Sequence, residues 1–426
     1  MAILTPSRPP RASGRKRQPG QASLADTASG WLGHPMADAL LVLVPTMILL
    51  VLGTLMVWSA STVFAYRQFD DPLYFIQRHL VFLVLAVLSG WIASRLPTDT
   101  LRSLAWVIYG VAGLLLVLTF TPLGYGVGGN KNWLNFGGPG QMLRLQPAEI
   151  AKIALIVWGA AVLANKRRLL DQPKHLLIPF LPFSLLMIGL VVLQHDLGTA
   201  MVMGAMVLAI LWCVGASWRV IGGLLLSVGA GVAVLVTMNQ SRVARILGFL
   251  DPGADLTGIN HQPMQALYGL ATGGWLGVGL GRSRQKWGSL SEAHTDYVLA
   301  IIGEELGVFG TLLVLVLFVI LAWGGIRIAL RSSTFFTRLL ASGVTTWLVL
   351  QALVNVMVVL RLVPVLGVPL PFLSYGGSAL LANVTAVGIL IACAREEPDA
   401  KAWLRRRARA KGPRRRLSAI LPGRRP

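Results

Sequence analysis

From Ala39 to Cys393 the chain is dominated by apolar runs long enough to cross a lipid bilayer, and this feature removes most folds from consideration. A hydrocarbon core about 30 Å thick needs roughly 20 mainly apolar residues per helical span. Backbone polar groups cannot be left unpaired in lipid, so spans are either helices or strands of a closed barrel, and runs of this length specify helices. They fall at residues 38–60, 74–94, 104–121, 148–164, 176–194, 199–216, 219–238, 296–325, 339–362 and 377–394. The expected fold is an all-α membrane protein, a polytopic bundle of about ten transmembrane helices. Only 13% of the 426 residues are charged, against about 25% in soluble domains.

The formal charge of +21 matters less than its location. Residues 1–37 carry five Lys/Arg against one acid, and residues 395–426 carry twelve against three, so the two tails supply +4 and +9. Domain organisation is therefore expected as a basic disordered tail (1–37), a transmembrane domain (38–394) and a second basic disordered tail (395–426). Basic tails at both ends of an even number of spans place both termini in the cytoplasm, where they meet anionic lipid. Arg95, Arg102, Lys166–Arg168, Arg219, Arg327, Arg331 and Arg338 fall on the same side. No nucleic-acid reader accompanies the basic runs, so nucleic acid is not an expected partner. No cleavable signal peptide is expected ahead of the first span. Cys213 and Cys393 lie in apolar runs and read as small packing residues.

Two external segments, about 122–146 and the large loop 239–295 between helices 7 and 8, are too long for simple turns. Acids near the spans are few, and an ionisable group at membrane depth costs at least about 2.5 kcal/mol, so each is a functional candidate. In QPAEIAK, Pro147 starts a helix that carries Glu149 and Lys152 on one face. They either form an ion pair, or Glu149 complements the helix dipole while Lys152 snorkels. Asp296 sits where a polar loop becomes an apolar helix, and either it or Thr295 could simply cap that helix. Glu304 lies eight residues further on, about 12 Å deeper, and is expected to hydrogen-bond inside the bundle. The glycines of GGWLGVGLGRS suit close backbone approach, and Arg282, Arg284 and Lys286 either contact phosphate or form a solvated basic loop. In PFLSYGGSAL, Ser374, Gly376, Gly377 and Ser378 open the last helix, whose N–H groups suit an anion or an ordinary capped turn.

Taken together, KNWLNFG (131–137), LQPAEIAK (145–152), DLGTA (196–200), GLGRSRQKWGSLSEAHTDYVLAIIGEELG (279–307) and VPLPFLSYGGS (368–378) resemble the SEDS family of FtsW, RodA and SpoVE, in family order. The EAHTD stretch looks like the FtsW version. The resemblance implies a peptidoglycan glycosyltransferase that polymerises lipid II on the outer face of the cytoplasmic membrane, enriched at the division septum. It implies a class B penicillin-binding protein transpeptidase and other divisome proteins as partners. It also implies Asp296 as catalytic base, Glu149 and Lys152 as electrostatic support, and Lys131, Arg282, Arg284 and Lys286 as pyrophosphate contacts. A divalent cation, Mg²⁺ or Mn²⁺, suits Asp296 and pyrophosphate, with no dedicated metal cage and no organic cofactor. Three positions depart from the family pattern: Asn132 in place of Arg, and His195 and Ser291 each in place of Pro. The last two are expected to change loop shape. A lipid II flippase and a non-catalytic division scaffold remain alternatives, separated by whether polar groups stop at an outward cavity, continue across the bilayer, or do neither.

Overall fold

The computed structural model describes residues 33–127, 130–137, 144–170, 172–238, 240–251, 253, 258 and 260–410. Its helices are α1 (Ala37–Phe69), α2 (Tyr74–Arg95), α3 (Thr98–Ser103), α4 (Ala105–Leu118), α5 (Pro147–Asn165), α6 (Pro173–Leu177), α7 (Phe180–Leu193), α8 (Leu197–Val214), α9 (Trp218–Thr237), α10 (Gln240–Leu250), α11 (His261–Gly273), α12 (Val298–Arg331), α13 (Phe335–Val359), α14 (Gly377–Arg395) and α15 (Pro398–Ala410). Nine helical segments among the described residues are long and apolar enough to span, α6 and α7 counting as one. The expected span 104–121 is the fourteen-residue α4, which reaches only about 21 Å.

Helix α5 forms the centre, packed against α4, α7, α8, α13 and α14. Ala148, Ala151, Ala154, Gly159 and Ala160 let neighbours approach it, and Trp158 and Leu155 fill the gaps with no exposed surface. Helices α2 and α14 pair closely, as do α1 and α12. The end of the bundle carrying Asp296 is called the outer end below, after the orientation expected from the basic loops.

Several features go beyond the sequence expectations or correct them. The first external segment is a small antiparallel sheet, β1 (Gly124–Val127), β2 (Asn130–Asn135) and β3 (Arg144–Leu145), with Tyr125 opposite Trp133 and Leu134 opposite Leu145. The large loop contains α10 and α11. The C-terminal tail is not wholly irregular: α15 occupies residues 398–410, with Pro398 at its start, Asp399 in its first turn and arginines in its last, an arrangement that suits the helix dipole. Trp403 of α15 stacks edge-on against His34. Residues 1–32 and 411–426 lie outside the described residues. Cys393 is buried as expected, but Cys213 is exposed on α8 and packs no core.

Helix α12 is broken at Gly307 (φ 69°, ψ −165°), a conformation open to glycine at little steric cost. The break leaves backbone groups without helical partners, and the segment after α11 supplies them. Val278 and Gly279 donate to the carbonyls of Glu304 and Glu305 (2.9 and 3.0 Å), while Val308 N–H reaches the Gly274 carbonyl (2.9 Å). Gly277 (φ 78°) sits so close that a Cβ would lie 2.2 Å from the Glu305 carbonyl oxygen. Irregular backbone survives at this depth because protein covers it.

Candidate active site

Six elements converge at the outer end. Asp296 ends the polar loop that feeds α12, and Asp196 caps α8 by accepting from Thr199 N–H (3.0 Å). Asn132 of β2 and Gln146, just before α5, both donate to Asp196 Oδ2 (3.2 and 3.3 Å). Gln146 N–H donates to Ser378 Oγ at the start of α14 (2.9 Å). Tyr375 N–H donates to the His294 carbonyl (2.8 Å), and Phe75 packs its ring against both His294 and Tyr375.

Neither Thr295 nor Asp296 caps α12. Its N-cap residue is Tyr297, which makes no side-chain capping bond. Asn355 Nδ2 donates to the Asp296 backbone carbonyl (2.7 Å), and among the described residues no salt bridge reaches the Asp296 carboxylate. The side chain keeps part of its surface open, although protein encloses it on most sides. Desolvation, with the like charges of Glu292 and Asp196, pushes its pKa up to about 7. An acid so placed accepts a proton at neutral pH far more readily than an ordinary aspartate. Burial also lowers the His294 pKa, against the opposing pull of Glu292, which favours the neutral ring.

One layer below, Glu149 and Lys152 form the ion pair that was one of two readings of their spacing (2.9 Å), and both are almost completely buried. Lys152 also donates to Gln351 Oε1 (2.8 Å) and lies over the Trp347 ring. Gln351 Nε2 donates to the Pro369 carbonyl (3.0 Å), and Asn355 bonds the Val368 carbonyl (2.8 Å). A Cβ on Gly367 of the same segment would lie 3.6 Å from Asp296 Oδ2, so residues 367–369 link the buried pair to the candidate base. Glu149 Oε2 has no hydrogen-bond partner among the described residues.

The other candidates divide. Lys131 is exposed on β2, and Arg282 and Arg284 are exposed on their loop. Lys286 is buried instead, 3.3 Å from Glu305 and donating to the Gly281 carbonyl (2.6 Å), because the re-entrant segment carries it into the bundle. Ser374 Oγ accepts from Leu370 N–H (2.8 Å) and closes its own turn. Ser378 binds Gln146 N–H, Gly376 precedes the first turn of α14, and Gly377 lies against the Phe82 ring, where a Cβ would clash at 2.5 Å. Glu304 accepts from Ser283 Oγ and from Arg284 N–H (2.9 Å), the internal role expected of it. His195 has φ 68°, which proline cannot adopt. Among the described residues no three His, Cys, Asp or Glu side chains are grouped to hold a metal ion, so the metal reading rests on the Asp296 carboxylate alone.

Sequence reasoning passed over Arg78, Arg144, Arg245 and Arg361. Arg78 bonds Tyr375, Arg144 lies over the Tyr125 ring, and Arg361 donates to the Gly248 carbonyl (2.8 Å). None of the four falls in a motif the sequence singled out, although Arg144 and Arg245 lie in the two segments expected to be external.

The family model for FtsW, RodA and SpoVE, described as a cell cycle protein, matches residues 39–398, and the chain belongs to that family. It is 35% identical over 388 residues to a probable peptidoglycan glycosyltransferase FtsW of Mycobacterium tuberculosis, covering 91% of this chain and 73% of the relative. It is 36% identical to the stage V sporulation protein E of Bacillus subtilis, covering 83% and 96%. Among solved structures, a chain from a peptidoglycan synthase complex that coordinates polymerization and crosslinking superposes with a TM-score of 0.68 at 28% identity, over 84% of this chain and 97% of that one. The rod shape determining protein RodA of Thermus thermophilus gives 0.62 at 27% identity, over 87% and 99%.

Proposed function

We propose that the chain is an inverting peptidoglycan glycosyltransferase of the cytoplasmic membrane that polymerises lipid II on the outer face, with both termini cytoplasmic and a place at the division septum. The observation that carries this reading is the Asp296 carboxylate: partly open, in no salt bridge among the described residues, and raised in pKa at the outer end of the bundle. In the reaction the 4-hydroxyl of one sugar attacks the anomeric carbon of the lipid-linked chain. Its proton passes to Asp296 as the new glycosidic bond forms, and the bond to undecaprenyl diphosphate breaks with its electron pair going to the leaving group. The Lys152–Glu149 pair anchors Gln351 and the 367–369 segment that borders Asp296.

A divalent cation, Mg²⁺ or Mn²⁺, held by Asp296 would supply charge neutralisation for the departing diphosphate. Lys131 and the first turn of α14, at Gly376, Gly377 and Ser378, are further candidate contacts for that diphosphate. A class B penicillin-binding protein is the proposed partner, supported by the likeness to the synthase complex, with other division proteins acting through the tails. The polymerase is favoured over a flippase because α5 carries no charged residue between Lys152 and Lys166, so its polar groups stop near the outer end. The test is purified protein with its partner and lipid II. Glycan polymer is expected from the native chain and none from Asp296→Asn; near-normal polymer from that variant would remove Asp296 as the base.

A further inference from the structure

Two arginines outside every sequence motif, Arg245 and Arg361, meet in a cleft of their own. Arg245 stands on α10 and Arg361 on the turn that follows α13, and Phe249, Asn260, Pro263 and residues 363–365 contribute walls. The cleft has an empty volume of about 280 Å³ shared with solvent, and narrows to space for a group about the size of a water molecule. Its lining holds no acid, and among the described residues neither guanidinium takes part in a salt bridge.

The backbone is shaped to hold this arrangement. Arg361 has φ 54°, a left-handed conformation uncommon for a residue with a long side chain. Its guanidinium reaches from the end of α13 to the loop helices, donating to the Gly248 carbonyl (2.8 Å), Asn260 Oδ1 (3.4 Å) and Met264 Sδ (3.3 Å). Asn260 is itself fixed, its Nδ2 donating to the Asp251 carbonyl (3.0 Å). Backbone strain of this kind collects at ligand clamps.

The segment 361–369 runs from the cleft to the candidate base. Val365 lines the cleft, and two residues on, a Cβ on Gly367 would lie 3.6 Å from Asp296 Oδ2. Two residues of chain extend at most about 7 Å, so the wall at Val365 lies within roughly 12 Å of the carboxylate. The segment is pinned in between: a Cβ on Gly198 would meet the Leu366 carbonyl oxygen at 2.2 Å, and Asn355 holds the Val368 carbonyl (2.8 Å). From the other side, Arg245 lies within electrostatic reach of Tyr297, the residue after Asp296.

A lipid II molecule whose 4-hydroxyl sits at Asp296 carries a five-residue stem peptide with a free terminal carboxylate, and such a chain reaches up to about 17 Å. The cleft falls inside that reach. Its narrow floor admits a carboxylate but not a sugar ring or a diphosphate, and its apolar walls suit the methyl groups of alanine residues. Guanidinium is the side-chain group that matches carboxylate geometry. We propose that the cleft between Arg245 and Arg361 binds the terminal carboxylate of the acceptor's stem peptide, which makes the two arginines specificity-determining residues. This deepens the glycosyltransferase reading and rests on it for the identity of the ligand.

The test uses full-length Asp296→Asn protein in phosphatidylcholine nanodiscs, so that binding is read without turnover. It is titrated with lipid II and with lipid II whose terminal carboxylate has been converted to a carboxamide. The carboxamide is expected to bind at least about tenfold more weakly, the loss of a charge-assisted contact. Adding Arg245→Gln is expected to abolish the preference while leaving affinity for the carboxamide unchanged, a pattern that disturbed folding would not give. Arg361→Lys, which keeps the charge but not the planar fork, is expected to reduce the preference without removing it. Lipid II capped at the 4-hydroxyl, which can serve only as donor, is expected to show no preference; a full preference there would overturn the acceptor assignment. Equal affinity for the two uncapped lipids, or an unchanged preference with Arg245→Gln, would overturn the cleft while leaving the polymerase reading intact. Binding of neither lipid would instead overturn the lipid II reading, and the cleft with it.

Discussion

The two ends of the bundle treat their carboxylates in opposite ways. At the inner end Asp38 is buried between Arg327 (2.7 Å) and Arg331 (3.3 Å), and Arg331 also reaches Asp399 (3.1 Å). At the outer end Asp296 has two acids near it and, among the described residues, no cation paired with it. The same residue type is thus a structural clamp at one end and a group with a displaced pKa at the other. The neighbours decide: cations that satisfy a charge hold helices together, and a charge left unsatisfied is available for chemistry. Glu397 lies between these cases, because burial and Asp38 push its pKa up to about 8 while Arg331 and Arg327 pull it down.

The widest separation between the ends should come from exchanging each aspartate for asparagine. Asp296→Asn is expected to lower polymerisation by about 10²–10⁴-fold, the usual contribution of a general base, with little change in melting temperature. Loss of folded protein in step with activity would break the contrast. The buried pair in the middle should respond next. Glu149→Ala or Lys152→Ala leaves one charge buried alone and is expected to cost about 3–5 kcal/mol, with the double variant losing less than the sum. Thermal unfolding in a double-mutant cycle reads this, and strict additivity would dissolve the pair. Asp38→Asn should lower stability by about 1–2 kcal/mol, since its arginines are partly exposed, while activity per folded molecule stays within about twofold.

A pH series sharpens the same comparison. With its pKa pushed up to about 7, Asp296 should give a polymerisation rate that rises through neutral pH as the carboxylate loses its proton. Stability should move the other way. The folded state keeps a proton that the unfolded chain releases at the ordinary aspartate value of 3.8, so this contribution is complete below that pH and is lost as pH rises through about 7. A rate flat between pH 6 and 8, an interval chosen to bracket that value, would mean that another group limits the reaction. The smallest effect is expected from removing residues 411–426: polymerisation by purified protein should stay within about twofold, because the removed residues lie beyond α15.

The spans were legible because twenty-residue apolar runs have few alternatives, and the Glu149–Lys152 pair because i,i+3 spacing is local. Asp296 was legible as a candidate, yet its local letters fitted a cap equally well, and only the observed Tyr297 N-cap separates the two. Contacts between distant segments could not be read. Nothing near Lys286 in the sequence indicates that Glu305 draws it inward, and nothing near Asn132 points to Asp196, 64 residues away. The helix α15 was hidden by its arginines, which read as a solvated tail although they are good helix formers.

The broken α12 also bears on how the protein enters the membrane. Its upper and lower halves cannot both be stable in lipid until residues 274–279 have paired with the groups freed at Gly307. Those residues precede the helix in the chain, so they have left the ribosome before the helix itself emerges. Insertion of this span is therefore a joint event of loop and helix, assembled from neighbours about 30 residues apart in sequence, a separation at which loop closure adds little entropy. A side chain at Gly277 or Gly307 would thus act first on biogenesis, lowering the amount of inserted protein before any effect on catalysis could be seen.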